Sequence, residues 1–430
     1  MNPEATHRAV DAVWRMESPK LIARLARIVR DVGLAEELAQ DALVTALEQW
    51  PGNGVPDNPG AWLMNAAKNR AFDLLRRYKM VERRHQELGH ELAVDAELTA
   101  GQVESQLDEV LDNSVGDDLL RLIFTACHPV LSTEARVALT LRLLCSLTTE
   151  EIARAYLLPE PTIAQRIVRA KRTLSEARVP FEMPRREDLA ARLASVLDVI
   201  YLVFNEGYTA TAGESWMRRT LCDEALRLGR IVAEMVPQEP EVHGLVSLME
   251  VQSSRADARI DAAGEPVLLL EQNRAQWDQL LIRRGLAALE RAIALGGALG
   301  RYTLQAAIAS CHARARTAAE TNWEQISALY DALAQVAPSP VVELNRAVAV
   351  GMAFGPAAGL ELVDALSGER SLQHYHLLPA VRGDLLFKLG RFDEARAELE
   401  RAAALTKNNR EHELLLKRVE SCADRLRGTS

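Results

Sequence analysis

Six residues in one short stretch, Thr162, Gln165, Arg166, Arg169, Lys171 and Arg172, have the types and spacing of a surface that recognises nucleic acid. Short polar groups can hydrogen-bond to base edges, and the cations that follow can neutralise phosphates. A second set, Asn65, Lys68, Asn69, Phe72, Arg76 and Arg77, combines amides, an aromatic ring and cations. Such a set can hydrogen-bond to unpaired bases and stack on them. The chemistry on offer is recognition rather than bond-making.

Positioning these groups requires helices with one buried face. Thr148 and Glu151 have the spacing of a capping box, which predicts a helix start. Leu157, Leu158 and Pro159 interrupt that helix, because proline lacks the next donor and pushes its predecessor out of helical geometry. Pro161 then falls in the first turn of a new helix, where a missing N–H costs little. Along it Ile163, Ile167, Ala170 and Leu174 recur at three-and-four spacing and form one inward stripe. Thr162, Gln165, Arg169 and Arg172 face the other way, with Arg166 and Lys171 on the flanks. The whole of Thr148–Leu174 therefore reads as a helix-turn-helix. An ordinary helical hairpin with a solvated basic face is the alternative, but turn chemistry, capping and the one-sided cations together favour DNA.

Gly60–Arg77 is expected to be a further helix, with Leu63, Ala67, Ala71 and Leu74 inward and Asn65, Asn69, Phe72 and Arg76 outward. Trp62 is read as core. Upstream, Leu21–Arg30 and Ala35–Trp50 read as two amphipathic helices, followed by the turn-rich loop Pro51–Pro59.

The chain has 430 residues, enough for several domains of roughly 100–200 residues each. Leu, Ala, Arg and Glu dominate and alternating β-branched runs are few, so an all-α protein is expected. A net charge of −9 argues at first against nucleic acid, but its distribution matters more than its sum. No Lys or Arg occurs from His85 to Leu120, where ten Asp and Glu residues lie between Glu87 and Asp118. Basic clusters, Lys68–Arg84 and Arg166–Arg178, flank that strap. Cys127, Cys145, Cys222, Cys311 and Cys422 have no paired spacing, which points to reduced thiols rather than a disulfide framework. No metal or other cofactor is expected, because neighbours such as Cys127–His128 and Cys311–His312 diverge on a helix. There is no N-terminal signal pattern and no apolar run approaching about 18 residues, so a cytoplasmic protein without a membrane span is expected.

Past the break at Pro180–Pro184 the helices become alanine-rich and paired. Gly383, Gly390, Phe392, Ala395 and Ala402 fall at tetratricopeptide-like spacings, and Arg284–Ala309 and Asn322–Val350 read as diverged pairs. Stacked repeats of this kind form concave faces that hold peptides or proteins. Asn205–Gly207 is expected to end the apolar helix begun near Leu197, leaving Glu206 and Tyr208 in a loop.

Taken in order, these modules resemble a sigma factor of RNA polymerase, of the extracytoplasmic-function group. Ala35–Asp41, AEELAQD, is similar to the acidic helix of sigma region two; Pro59–Tyr78 resembles the helix that reads and melts the minus-ten element; Thr148–Leu174 resembles the region-four helix-turn-helix that reads the minus-thirty-five element. The resemblance covers roughly Ala9–Ala177, and three motifs in the right order are more specific than one. It implies a region-two domain over 1–84, an acidic linker over 85–117, a region-four domain over 118–180 and a tetratricopeptide-like helical extension over 185–430.

The roles of individual residues follow from it in the same way. Glu36, Glu37, Gln40 and Asp41 would dock on the clamp helices of the polymerase β′ subunit. Asn65, Lys68, Asn69, Arg76 and Arg77 would hold the minus-ten strand, with Asn69 at the extruded base. Thr162, Gln165, Arg166, Arg169, Lys171 and Arg172 would read the minus-thirty-five element. The acidic linker would occupy the channel through which nascent RNA leaves. The extended subgroup implies regulation through the C-terminal part and a small DGPF/YCII-related protein as a possible partner. One departure is Pro159, which stands where a serine or threonine often caps the recognition helix. A stand-alone helix-turn-helix regulator with a helical sensor domain would explain Thr148–Leu174 but leave Ala35–Asp41 and Pro59–Tyr78 as coincidences. A tetratricopeptide adaptor would tolerate loss of the cations, and an enzyme lacks any recognisable phosphate loop, nucleophile or carboxylate pair.

Overall fold

Helix follows helix along the chain. The computed structural model describes residues 3–87, 115–209, 212–213, 217–261 and 265–428; these contain eighteen α-helices and one two-residue parallel strand pair. The all-α expectation is met. Most of the acidic run lies outside the described residues, and of its members Asp117 and Asp118 open a helix. Two compact units divide the chain, Met1–Val199 and Ile200–Ser430.

In the first unit, α1 (Pro3–Val29), α2 (Val32–Asn53) and α3 (Pro59–Glu87) pack together through small and aliphatic side chains. Ala35, Ala39, Ala42 and Ala46 of α2 and Ala67 and Ala71 of α3 are fully buried, which lets the helix axes approach closely. α1 begins well before Leu21 and carries Pro19 inside it. At the start of α2, Asp31 accepts from Leu34 N at 2.8 Å, satisfying one of the donors that every helix start exposes. Trp62 is half-buried and meets buried Trp50 edge to face at 5.4 Å.

The region-four part comprises α4 (Val115–Ala126), α5 (Thr133–Leu143), α6 (Thr149–Tyr156) and α7 (Glu160–Glu176). The expected capping box is present: Glu151 N donates to Thr148 Oγ1 at 3.0 Å, and Thr148 N donates to Glu151 Oε2 at 2.8 Å. Leu157 makes the turn in the left-handed region (φ 50°), where a side chain is disfavoured. Pro159 sits at the N-cap of α7 with no side-chain cap, and Pro161 lies in its first turn. Ile163, Ile167, Ala170 and Leu174 are all buried. α5 stops at Leu143, and Ser146 turns the chain at φ 56°.

α8 (Leu189–Tyr208) crosses the boundary between the units, so the first unit runs on beyond Pro180–Pro184 to Val199. The physical reason lies in its first turns. Arg192 Nη2 donates to Phe124 O at 2.6 Å and Ser195 Oγ to Cys127 O at 2.7 Å, which satisfies carbonyls at the C-terminal end of α4.

In the second unit α9 (Arg219–Met235), α10 (Pro240–Ser253), α11 (Gln279–Ala294), α12 (Arg301–Arg314), α13 (Trp323–Val336), α14 (Pro340–Phe354), α15 (Pro356–Ala365), α16 (Leu377–Lys388), α17 (Phe392–Leu405) and α18 (Asn409–Gly428) pack mainly on their chain neighbours. α10 is central to the first part, touching α9, α11 and α12. β1 (Ala212–Gly213) pairs with β2 (Lys407–Asn408). The α16–α17 pair is as tight as its sequence implies: a Cβ on Gly383 would sit 2.9 Å from Leu399 Cγ, and Ala395 and Ala402 are fully buried.

The segment Asn205–Tyr208 departs from expectation, because α8 continues through it. Gly207 is a packing residue rather than a helix stop: a Cβ there would lie 2.7 Å from Cys222 N, at the start of α9. Glu206 pairs with Arg218, and Tyr208 stacks on Phe204 and accepts Arg255 at its hydroxyl (2.6 Å).

Candidate nucleic-acid and polymerase interface

Four of the six predicted recognition residues come together at one surface. Thr162, Gln165, Arg166 and Arg169 on α7, with Val130, Leu131, Ser132 and Glu134 before and at the start of α5, line a groove of about 590 Å³. Thr162, Gln165 and Arg169 are exposed, as base or phosphate contacts must be, and Arg166 is half-buried. Glu134 in the same groove has its carboxyl held below the ordinary range by backbone and Ser132 hydrogen bonds at the start of α5, with Arg166 and Arg136 adding to the effect. It stays anionic and sets a negative charge at that end of the groove, opposite the cations of α7. Arg172 is exposed and tied to Glu176 at 2.6 Å. Lys171 turns out of this surface toward α2, where it pairs with Glu36.

On α3, Asn65, Asn69, Arg76 and Arg77 are exposed. Lys68 lies over the Phe72 ring at 5.4 Å, which fixes a cation and an aromatic face side by side. Arg76 pairs with Asp73 at 3.7 Å. These residues share the outward side of α3 because Leu63, Ala67 and Ala71 occupy the inward one. Nothing in the sequence pattern marks Arg70. It bridges α3 to α2 by pairing with Asp41 at 3.2 Å and donating to Thr45 Oγ1 at 3.0 Å.

The acidic set on α2 divides. Glu37 and Asp41 are exposed and Gln40 is half-buried. Glu36 is only 3% exposed, against the expectation of a solvent-facing acid. Arg142 Nε on α5 donates to it at 2.7 Å, Gln40 Nε2 donates to it at 2.7 Å, and Lys171 completes the cage. Nothing local marks Arg142 as its partner, since 106 positions separate the two. Among the described residues no His, Cys, Asp and Glu cluster could hold a metal ion, and no helix is long and apolar enough to cross a membrane.

Comparison with known proteins decides the family. Sigma-70 region 2 matches residues 13–80, and sigma-70 region 4 matches residues 121–174. The chain belongs to the sigma factors of the extracytoplasmic-function group. As a sigma factor it directs RNA polymerase core to specific promoters, so core enzyme and promoter DNA are its partners and the exposed face of α7 belongs to its helix-turn-helix. Sigma factor families are not enzymes. The sigma factor carries a C-terminal extension, and a family of unknown function, DUF6596, matches residues 192–293 within α8 to α11. An uncharacterised protein of Rhizobium meliloti (strain 1021) is 42% identical over 403 residues, covering 93% of this chain and 92% of that protein. No solved structure matches the chain. No observation favours the stand-alone regulator.

Proposed function

We propose that the sigma factor divides its contacts as the sequence suggests. Glu37 and Asp41, with Gln40 beside them, dock on basic helices of the polymerase β′ subunit. Asn65, Lys68, Asn69, Arg76 and Arg77 hold the melted minus-ten strand. Thr162, Gln165 and Arg166 read minus-thirty-five bases, each good bidentate pair discriminating by about 1–3 kcal/mol. Arg169 and Arg172 position the duplex. The observation that carries this reading is the pairing, in one unit, of an exposed amide-and-cation face on α3 with an exposed recognition face on α7.

The acidic segment between α3 and α4 suits the cationic path of nascent RNA. The work is done in the cytoplasm, where the polymerase is. The extension is a tetratricopeptide-like regulator, supported by the neighbour-on-neighbour packing of α13–α18 and the tight α16–α17 pair. A small DGPF/YCII-related protein is the partner that the resemblance implies for it. Transcription by bacterial core polymerase with and without this protein, with RNA starts sequenced across genomic DNA, tests the reading. Starts that require the protein and share two upstream elements are expected; starts that do not depend on it would refute the reading.

A further inference from the structure

We infer that the second unit holds a binding site for a small phosphate-type dianion, built by Arg255, Arg274 and Trp277 with His312 beside them. The Trp277 ring is its centre. The Arg255 guanidinium lies 5.7 Å from the ring centroid and that of Arg274 5.0 Å. Separate short elements bring these groups together. Arg255 follows α10, Arg274 opens the 3-10 turn that Trp277 closes, and His312 comes from the last turn of α12. Arg259 covers the Tyr208 ring at 3.7 Å and Arg255 lies 5.8 Å from the same ring, so a third guanidinium adds to the field.

Cations gathered this closely call for counter-charge. Among the described residues neither Arg255 nor Arg274 has a carboxylate within 4.0 Å; Glu320 acts on Arg274 from farther away. The cations act on one another instead. Burial lowers the pKa of Arg259 and of Arg274, and Arg255 deepens the fall at both. Burial, with Arg255 and Arg274 adding, lowers that of His312 to about 4, so its imidazole is neutral at pH 7 and can offer an N–H. Guanidiniums needed only to pack on aromatic rings would be placed apart or beside an acid.

The unsatisfied groups point the same way. Arg255 Nε, Arg274 Nε, Trp277 Nε1 and His312 Nδ1 are all buried without a hydrogen-bond partner. The first three can only donate, and a buried donor left unpaired is destabilising. The remaining arms hold the guanidiniums in place before anything binds. Arg255 Nη2 donates to the Tyr208 hydroxyl at 2.6 Å, and Arg274 donates to His312 O at 2.6 Å, Ala315 O at 2.8 Å and Thr321 Oγ1 at 2.9 Å. A ligand that carries acceptors only and two negative charges answers both the loose donors and the uncompensated charge, which is the description of a phosphate group. Arg255 and Arg274 are half-buried, so a small molecule reaches them, whereas Trp277 and His312 are buried. A phosphodiester of duplex DNA, with one charge and a sugar on each side, does not enter so far. None of these residues is assigned to polymerase or promoter, so the site stands or falls apart from those assignments.

The test titrates the full-length chain with inorganic phosphate, sodium succinate or sodium chloride at matched ionic strength and roughly neutral pH, with binding read by calorimetry and its location by amide hydrogen exchange. Saturable binding of phosphate with a Kd below about 1 mM is expected, together with slower exchange in peptides spanning 254–278 and 310–323. Arg255→Met keeps the apolar stem and removes the charge, and should weaken phosphate binding at least tenfold. Arg391→Met removes an exposed cation paired with Glu394 at 2.6 Å and should bind as wild type does. Wild type that shows no saturable binding up to about 20 mM phosphate overturns the site, and it does so even if Arg255→Met fails to fold. Protection confined to α3 or α7 overturns it too, because the anion then sits on the faces proposed for nucleic acid. Succinate that binds where phosphate does not overturns the phosphate assignment, and a short DNA duplex that displaces phosphate from 254–278 overturns the small-molecule one.

Discussion

Replacing Arg192 with alanine is expected to loosen region four, although Arg192 lies beyond the helix-turn-helix. Its guanidinium donates to Phe124 O at 2.6 Å, and burial lowers its pKa, with Cys127 and Asp188 opposing that shift. A hydrogen bond from a charged donor contributes about 1.5–3 kcal/mol. Because Arg192 is only half-buried and water can partly replace it, we take about 2 kcal/mol, or roughly a 30-fold change in a local opening equilibrium. Ser195→Ala removes the neutral bond to Cys127 O and should cost about 1 kcal/mol, roughly fivefold. Amide hydrogen exchange on the full-length chain, read in peptides spanning Asp118–Leu147, measures both. Exchange in these peptides should speed up by about 30-fold and fivefold, with α1–α3 unaffected. A change of less than threefold for Arg192→Ala would refute the idea that α8 caps α4. The consequence for truncation is direct: a chain ending near Pro184 loses both caps, so its inactivity would report damage to region four and not the absence of a regulator.

Three further outcomes follow from the interfaces and the interior. Glu37→Lys is expected to weaken core binding at least tenfold while leaving the melting temperature within a degree or two, because Glu37 is exposed; equal affinity in the folded variant would remove α2 from the polymerase contact. Arg169→Ala should weaken promoter binding and reduce the salt slope by about one unit, and a titration of affinity against salt would show otherwise if the residue lies off the DNA. In the second unit His312 is 9% exposed against Trp323, and burial, with Arg255 and Arg274 adding, lowers its pKa to about 4. Since the unfolded value is higher, its contribution is fully present above the unfolded pKa and is lost as pH falls through the window between the two. By pH 5 the loss is about 2 kcal/mol, and denaturant titrations at pH 7.5 and 5 should show a smaller drop for His312→Gln than for wild type.

Local patterns were legible because the physics that sets them is local. The Thr148–Glu151 box, the proline-broken turn and the Ile163–Leu174 stripe each depend on residues within one or two helical turns, and each is found in place. Glu36 shows the limit. Its neighbours Glu37 and Asp41 are exposed, and helical periodicity cannot foresee that Arg142 and Lys171 will close over it. Asn205–Tyr208 misled for a related reason. A glycine after an asparagine is a fair helix stop in isolation, but α9 packs so near that Gly207 is needed for space and the helix runs on.

The sequence by itself determined the helical class, the helix-turn-helix and the two outward polar faces of α3 and α7, since periodicity and capping act over a few residues. Tertiary structure decided which of those residues remain available, that Lys171 leaves the recognition face for Glu36, and that the first turns of α8 belong with region four. Those outcomes depend on burial and charge pairing between residues about 60 to 135 positions apart, where chain order says nothing about which groups will meet.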